Sequence, residues 1–165
     1  MRFFAPVLAA SIAALAVAAP VSGQVPDDQI APKSVQLQKQ GESFLAAGKF
    51  DQAEDALEAS LAVDPRNRWA FVQLARVAEK QQLFGKAVRM ANKALLLEPN
   101  DPDAIAVQGE AMVELGATAR AQANLQKLQT ICAKGGCPQL AQLSAAITRG
   151  PTVAANKAPA SPKSN

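Results

Sequence analysis

Histidine and tyrosine are absent from this 165-residue chain, tryptophan occurs once, at Trp69, and aromatic residues make up only 4%. Without histidine the commonest general base is missing. Two cysteines and no histidine also fall short of the four ligands a structural zinc site wants. Scarce aromatics and abundant Ala, Leu and Gln favour helices over strands. Charge of one sign is lacking too: 17 basic against 14 acidic residues give +3, too balanced for a nucleic-acid binder. No glycine-rich phosphate loop occurs, and Gly135-Gly136 is a turn. The sequence therefore predicts no cofactor, no metal and no catalytic residue. Asp51, Glu54, Asp55 and Glu58 share one helix face opposite Phe50, Ala53 and Leu57, which marks a solvated acidic face.

What is present begins with a targeting segment. Arg2 is the only charge before residue 20, the stretch 3–19 is uncharged, and Pro20 and small residues at Val21 and Gly23 follow. This pattern predicts a signal peptide over 1–23, cut after Gly23, with Ala19 the second choice. A retained membrane anchor is the competing reading, but the stretch is shorter than a spanning helix of about 20 residues and rich in Ala. Residues 24–33 hold Pro26 and Pro32 and form a linker. Residues 150–165, rich in Pro, Ala, Lys and Ser, bury no core and are expected to be disordered.

Between these segments the chain repeats itself. Asp64-Pro65 and Glu98-Pro99 lie 34 residues apart, and Phe50 with Phe84, Ala53 with Ala87, Leu61 with Leu95 and Val63 with Leu97 then fall in register. A 34-residue period marks a helix–turn–helix unit whose apolar faces are buried only by stacking on neighbours.

These residues resemble the tetratricopeptide-repeat (TPR) family, which places small residues at repeat positions 8, 20 and 27. Repeat 34–67 offers Gly41, Ala53 and Ser60, and repeat 68–101 offers Ala75, Ala87 and Ala94. Repeat 102–135 offers Gly109 and Ala121, then departs with Leu128 and with Ala133 in place of the terminal proline. Gln40 and Gln108 replace the family's usual Leu at position 7, which suggests local looseness. The resemblance implies an all-α solenoid of about three repeats over 34–149. Helices are expected near 34–47, 50–63, 68–81, 84–97, 102–115 and 118–131, with Gly48 and Gly116 as left-handed helix ends. A seventh helix, 138–149, carries Leu140, Leu143, Ala146 and Ile147 as one apolar stripe and caps the open end.

Cys132 and Cys137 flank a turn with two glycines, so their Cα atoms can approach the roughly 5.5 Å a bridge needs. An exported chain favours a disulfide there. Loop entropy gives such a short closure only about 2 kcal/mol, so it fixes the cap helix rather than the whole fold. A redox-active pair is disfavoured, because the spacing is C-x₄-C and no thioredoxin-like pattern surrounds it.

The resemblance also implies a binding surface: in this family the first helix of each repeat lines a concave groove through positions 2, 5, 9, 12 and 13. Carried over, these are Val35, Gln38, Glu42, Leu45 and Ala46, then Trp69, Val72, Arg76, Glu79 and Lys80, then Asp103, Ala106, Glu110, Val113 and Glu114. The residues expected to hold a partner are Gln38, Glu42, Trp69, Arg76, Glu79, Lys80, Glu110 and Glu114. Trp69 serves equally well as a groove anchor or as a cover for the junction with the first repeat. Some members clamp a terminal carboxylate with Lys and Asn at positions 5 and 9; Gln38 and Glu42 stand there, so that clamp is absent. The expectation is an exported, periplasmic scaffold that holds a protein or peptide and is not an enzyme. The alternatives are an assembly factor tethered to the membrane by an uncleaved amino terminus and, more distantly, a thiol-redox protein.

Overall fold

The structure is a computed structural model that describes residues 29–133 and 136–152. Seven helices and no strand occur among these residues: α1 (Pro32–Ala46), α2 (Phe50–Val63), α3 (Arg68–Lys80), α4 (Phe84–Leu97), α5 (Pro102–Glu114), α6 (Thr118–Ile131) and α7 (Pro138–Arg149). Each helix packs on the next, and α1, α3, α5 and α7 also pack side by side, which is the layout of an α-solenoid. The expected helices are met within two residues at every end. Helix α1 starts at Pro32, inside the stretch expected to be linker, because proline at the first turn has no N–H to satisfy. The N–H of Ala31 ahead of it donates to Asp64 Oδ2 at 3.0 Å. The signal segment 1–23 and residues 153–165 lie outside the described residues.

The 34-residue register is visible in the turns. Gly48 (φ 71°), Gln82 (φ 60°) and Gly116 (φ 73°) each follow a first helix in the left-handed region. Glycine adopts that conformation freely, and Gln82 does so against its Cβ. The N–H groups of Lys49, Leu83 and Ala117 then reach back to the carbonyls of Phe44, Ala78 and Met112.

The register is equally visible in the packing. Ala53, Ala87 and Ala121 are wholly buried, as are Ala75 and Ala94. A Cβ at Gly41 would fall 2.5 Å from Leu57 Cγ, and one at Gly109 would fall 2.7 Å from Leu143 Cδ1. The first glycine admits α2, and the second admits the cap helix α7. Leu128, the departure from the small-residue pattern, is fully buried beside Ile105, Cys132 and Leu143. Cys132 and Cys137 are joined across the last turn with Cα atoms 5.6 Å apart.

Polar residues close the joints between repeats. Asn67 donates from Nδ2 to Ser34 Oγ at 3.0 Å and to Ser60 Oγ at 3.2 Å, and its Oδ1 accepts the N–H of Ala70. One period later Asp101 accepts the N–H of Ala104 at 2.8 Å and pairs with Arg68. The looseness expected at Gln108 is not found. Its buried amide donates to Asn92 Oδ1 on α4 at 2.6 Å and accepts from Asn124 on α6 at 2.7 Å, so it ties three helices together. Gln40, at the open end of the array, is exposed.

Candidate functional site: the groove along the first helices

Helix α3 builds the middle of the groove. It buries Ala70, Val72, Leu74, Ala75, Val77 and Ala78, which leaves Trp69, Gln73, Arg76, Glu79 and Lys80 outside the core. Most of α5 is buried, because neighbouring helices cover it on several sides; Asp103, Glu110 and Glu114 are the polar residues that escape. Three positions expected in the groove, Val72, Ala106 and Val113, belong instead to the core. Side-by-side packing of α3 on α5 and of α5 on α7 covers short apolar side chains, and only long polar ones reach past it.

At the α1 end, Gln38 Nε2 donates to Glu42 Oε1 at 2.7 Å, and Gln73 on α3 donates to the same oxygen at 3.0 Å. Gln38 is buried, so it orients Glu42 rather than facing a partner. Arg76 Nη2 pairs with Asp103 Oδ1 at 2.6 Å across the α3–α5 junction. At the far end Glu79, Lys80, Gln82, Phe84, Glu110, Glu114, Arg149 and Thr152 line one open cleft. Burial and then the charge of Glu110 push the Glu79 carboxyl up to about 8. Burial also raises the Glu110 carboxyl, offset in part by a hydrogen bond with Gln142 and by Arg76 and Arg149. Glu110 Oε1 is buried without a hydrogen-bond partner.

The structure thus brings Arg76, Glu79, Lys80, Glu110 and Glu114 to one surface and sets Gln38 and Glu42 at its α1 end. It does not bring Trp69 to that cleft. Trp69 stands about 10 Å from Arg76 along α3, seven residues away at 1.5 Å each. There it lines a separate depression with Ile30, Arg66, Leu97 and Glu98, and the Arg68 guanidinium lies 4.7 Å from its ring centroid. The tryptophan is exposed there, apart from the cleft. The sequence reading missed Gln73 and Gln142, whose uncharged amides gave no signal until the helices were placed. It also missed Gln82, whose spacing from Gly48 and Gly116 was a readable clue.

This architecture defines an α-solenoid of stacked helical pairs. Residues 44–111 match the family model described as tetratricopeptide repeat. No curated protein matches the chain in sequence. Among solved structures, the Sgt2 TPR domain from Aspergillus fumigatus is similar at a TM-score of 0.66 and 20% identity, over 82% of this chain and 89% of that one. The TPR2B domain of yeast Sti1, in a complex with an Hsp70 peptide, has a TM-score of 0.66 at 19% identity, over 72% of this chain and 98% of that one. The second TPR domain of human RPAP3, in complex with an HSP70 peptide, has a TM-score of 0.63 at 22% identity, over 70% and 95%. At these identities the likeness is one of fold.

Proposed function

We propose that this chain is an exported interaction scaffold that holds an extended segment of a partner protein in the groove along α1, α3, α5 and α7. The observation that carries the reading is the cleft itself. Glu79, Glu110, Glu114, Lys80 and Arg149 converge there from three helices, although burying carboxyls beside one another costs stability. A partner that supplies donors or a cation to Glu110 Oε1 recovers that cost on binding.

The HSP70 peptide bound by the RPAP3 domain, SGPTIEEVD, is acidic. Gln38 and Glu42 supply no cation for the terminal carboxylate of such a segment. The cleft itself sets Glu110 and Glu114 beside Lys80 and Arg149, so its charge is mixed. Export, with removal of residues 1–23, rests on the uncharged amino-terminal stretch alone. In this reading the Cys132–Cys137 bridge is structural, since it joins α6 to the cap and Cys132 is buried beside Leu128 and Leu143.

Affinity capture from envelope extracts tests the reading. A Glu79→Ala/Glu110→Ala variant should lose partners that the Asp55→Ala/Glu58→Ala variant, altered on the exposed face of α2, retains. Equal recovery with both variants would mean that the groove is not the binding surface. The mass of the purified chain tests export separately, since the mature form lacks residues 1–23.

A further inference from the structure

Away from the groove, the second helices α2, α4 and α6 each carry charge of one sign. Helix α2 has Asp51, Glu54, Asp55 and Glu58 and no basic residue. Helix α4 has Lys86, Arg89 and Lys93, α6 has Arg120 and Lys127, and neither has a carboxylate side chain. The balanced charge of the whole chain therefore conceals a divided surface. Glu54 and Lys86 pair with each other across the α2–α4 seam. Asp55 and Glu58 on α2, Arg89 on α4 and Arg120 on α6 are exposed and enter no ion pair among the described residues.

The relief of this face follows from the packing. Helices α1, α3, α5 and α7 pack side by side, whereas α2, α4 and α6 do not, so open furrows separate them. The 34-residue register sets Asp55 and Arg89 at one position of successive outer helices, and Ala62 and Leu96 at another. Leu96 is 83% exposed, more than any other large apolar side chain that is exposed among the described residues. Ala59 and Ala62 stand beside Asp55 and Glu58 on the exposed side of α2. The face thus offers acid with small side chains on α2, and base with a large apolar side chain on α4.

We propose that two copies of the chain associate through this face about a two-fold axis, with α2 of each lying in the furrow between α4 and α6 of the other. A two-fold contact must be self-complementary, because the same patch serves both copies. This one is: Asp55 and Glu58 of one copy face Arg89 and Arg120 of the other, and symmetry repeats the set. Leu96 of each copy is covered by Ala59 and Ala62 of the other. An anionic membrane surface would attract α4 and α6 but repel α2, so it answers only half of the face. Each outer helix has 14 residues and is about 21 Å long. With three of them spaced by about 10 Å, the face covers about 600 Å² per copy. About 1,200 Å² in total is the lower end for a specific contact, so the dimer is weak and depends on charge. The groove runs along the first helices and stays open, so the inference does not depend on how the groove is read.

Sedimentation equilibrium of the purified chain tests the inference. In low salt the mean mass should climb with concentration toward that of two chains. At about 0.5 M salt, where the screening length falls to about 4 Å, the dissociation constant should rise by about tenfold or more. Asp55→Arg/Glu58→Arg and Arg89→Glu/Arg120→Glu should each stay monomeric where the unaltered chain dimerises. An equal mixture of the two variants should recover the dimer, because every acidic patch then faces a basic one again. All four substitutions are at exposed positions, and unchanged melting temperatures report that both variants fold; the salt dependence of the unaltered chain reads the contact without them. A single-chain mass at every concentration would overturn the inference, and a monomer that sediments with phosphatidylglycerol vesicles would assign the face to a membrane surface instead. Variants that dimerise like the unaltered chain would overturn it as well. Growth past the dimer would overturn the two-fold arrangement in favour of an open string of copies. None of these results touches the capture experiment, which reads the opposite face.

Discussion

Glu79 on α3 and Glu110 on α5 line the same cleft, and the charge of Glu110 adds to the burial that lifts the Glu79 carboxyl to about 8. A raised carboxyl favours the folded state while it is protonated. The sign follows by linkage: this contribution is fully present below the unfolded value, near 4.5, and is lost as pH rises through about 8. Unfolding free energy should therefore fall between about pH 5 and pH 8, and Glu79→Gln should flatten that slope and stabilise the chain at pH 8. Urea titrations at a series of pH values check this; an unchanged slope in the variant would assign the dependence to another group.

Asp64 works in the opposite direction. Its side-chain hydrogen bond with Arg66, followed by the N–H of Ala31, holds the carboxyl down at about 2. Its contribution is present above the unfolded value, near 3.8, and is lost as pH falls through about 2. Asp64→Asn should remove part of the acid-side decline and loosen the start of α1. The acid unfolding midpoint and amide exchange at Ala31 and Ser34 report these two effects.

Gln82 is the one non-glycine residue with positive φ among the described residues, at the position that Gly48 and Gly116 occupy in the flanking repeats. A left-handed conformation costs an L residue roughly 1–2 kcal/mol; glycine removes that cost, and its greater unfolded-chain entropy offsets part of the gain. Gln82→Gly should raise stability by about 0.5–1 kcal/mol. A lowered melting temperature would show that the Gln82 side chain contributes more than its backbone costs.

Ala87 is wholly buried against Ala78 and Ala111, with Phe84 and Val88 packed beside them. Ala87→Leu should destabilise by roughly 1–3 kcal/mol through overpacking. An unchanged melting temperature would mean that α4 can slide away from its neighbours.

The bridge between Cys132 and Cys137 acts on one joint. Replacing both by Ser should leave α1 to α6 folded, because the loop is short and the packing of Leu143 against Ile105 and Leu128 remains. Amide exchange should quicken from residue 132 to residue 149 as the cap frays. Two free thiols in protein from an oxidising compartment would contradict the bridge, and global unfolding of the double variant would show that the cap supports the whole array.

These sites show why the fold was easier to read than the groove. Ala53, Ala87 and Ala121 recur at one spacing because two helices must approach closely there, and that constraint writes itself into the sequence. The groove carries no such constraint. Position 72 and position 76 both follow the family's groove pattern, but Val72 is buried and Arg76 emerges, since the outcome depends on side-chain length against the closeness of α5. Trp69 is hard to place for a related reason: it begins the Gln73–Arg76–Lys80 face of α3, and only the neighbouring Ile30 and Leu97 set it apart from the cleft. Polar ties such as Ser34–Ser60–Asn67 join residues up to 33 positions apart with no apolar period to announce them.

The central claim is that the partner lies along the first helices. A photoreactive amino acid placed in turn at Lys80, Glu110 and Glu114, and at Glu58 and Gln126 on the outer helices, tests it in living cells. The claim predicts that the three groove positions yield cross-links to one common protein and that the two outer positions yield none to it. Cross-links to that protein from Glu58 or Gln126, with none from the groove, would contradict it.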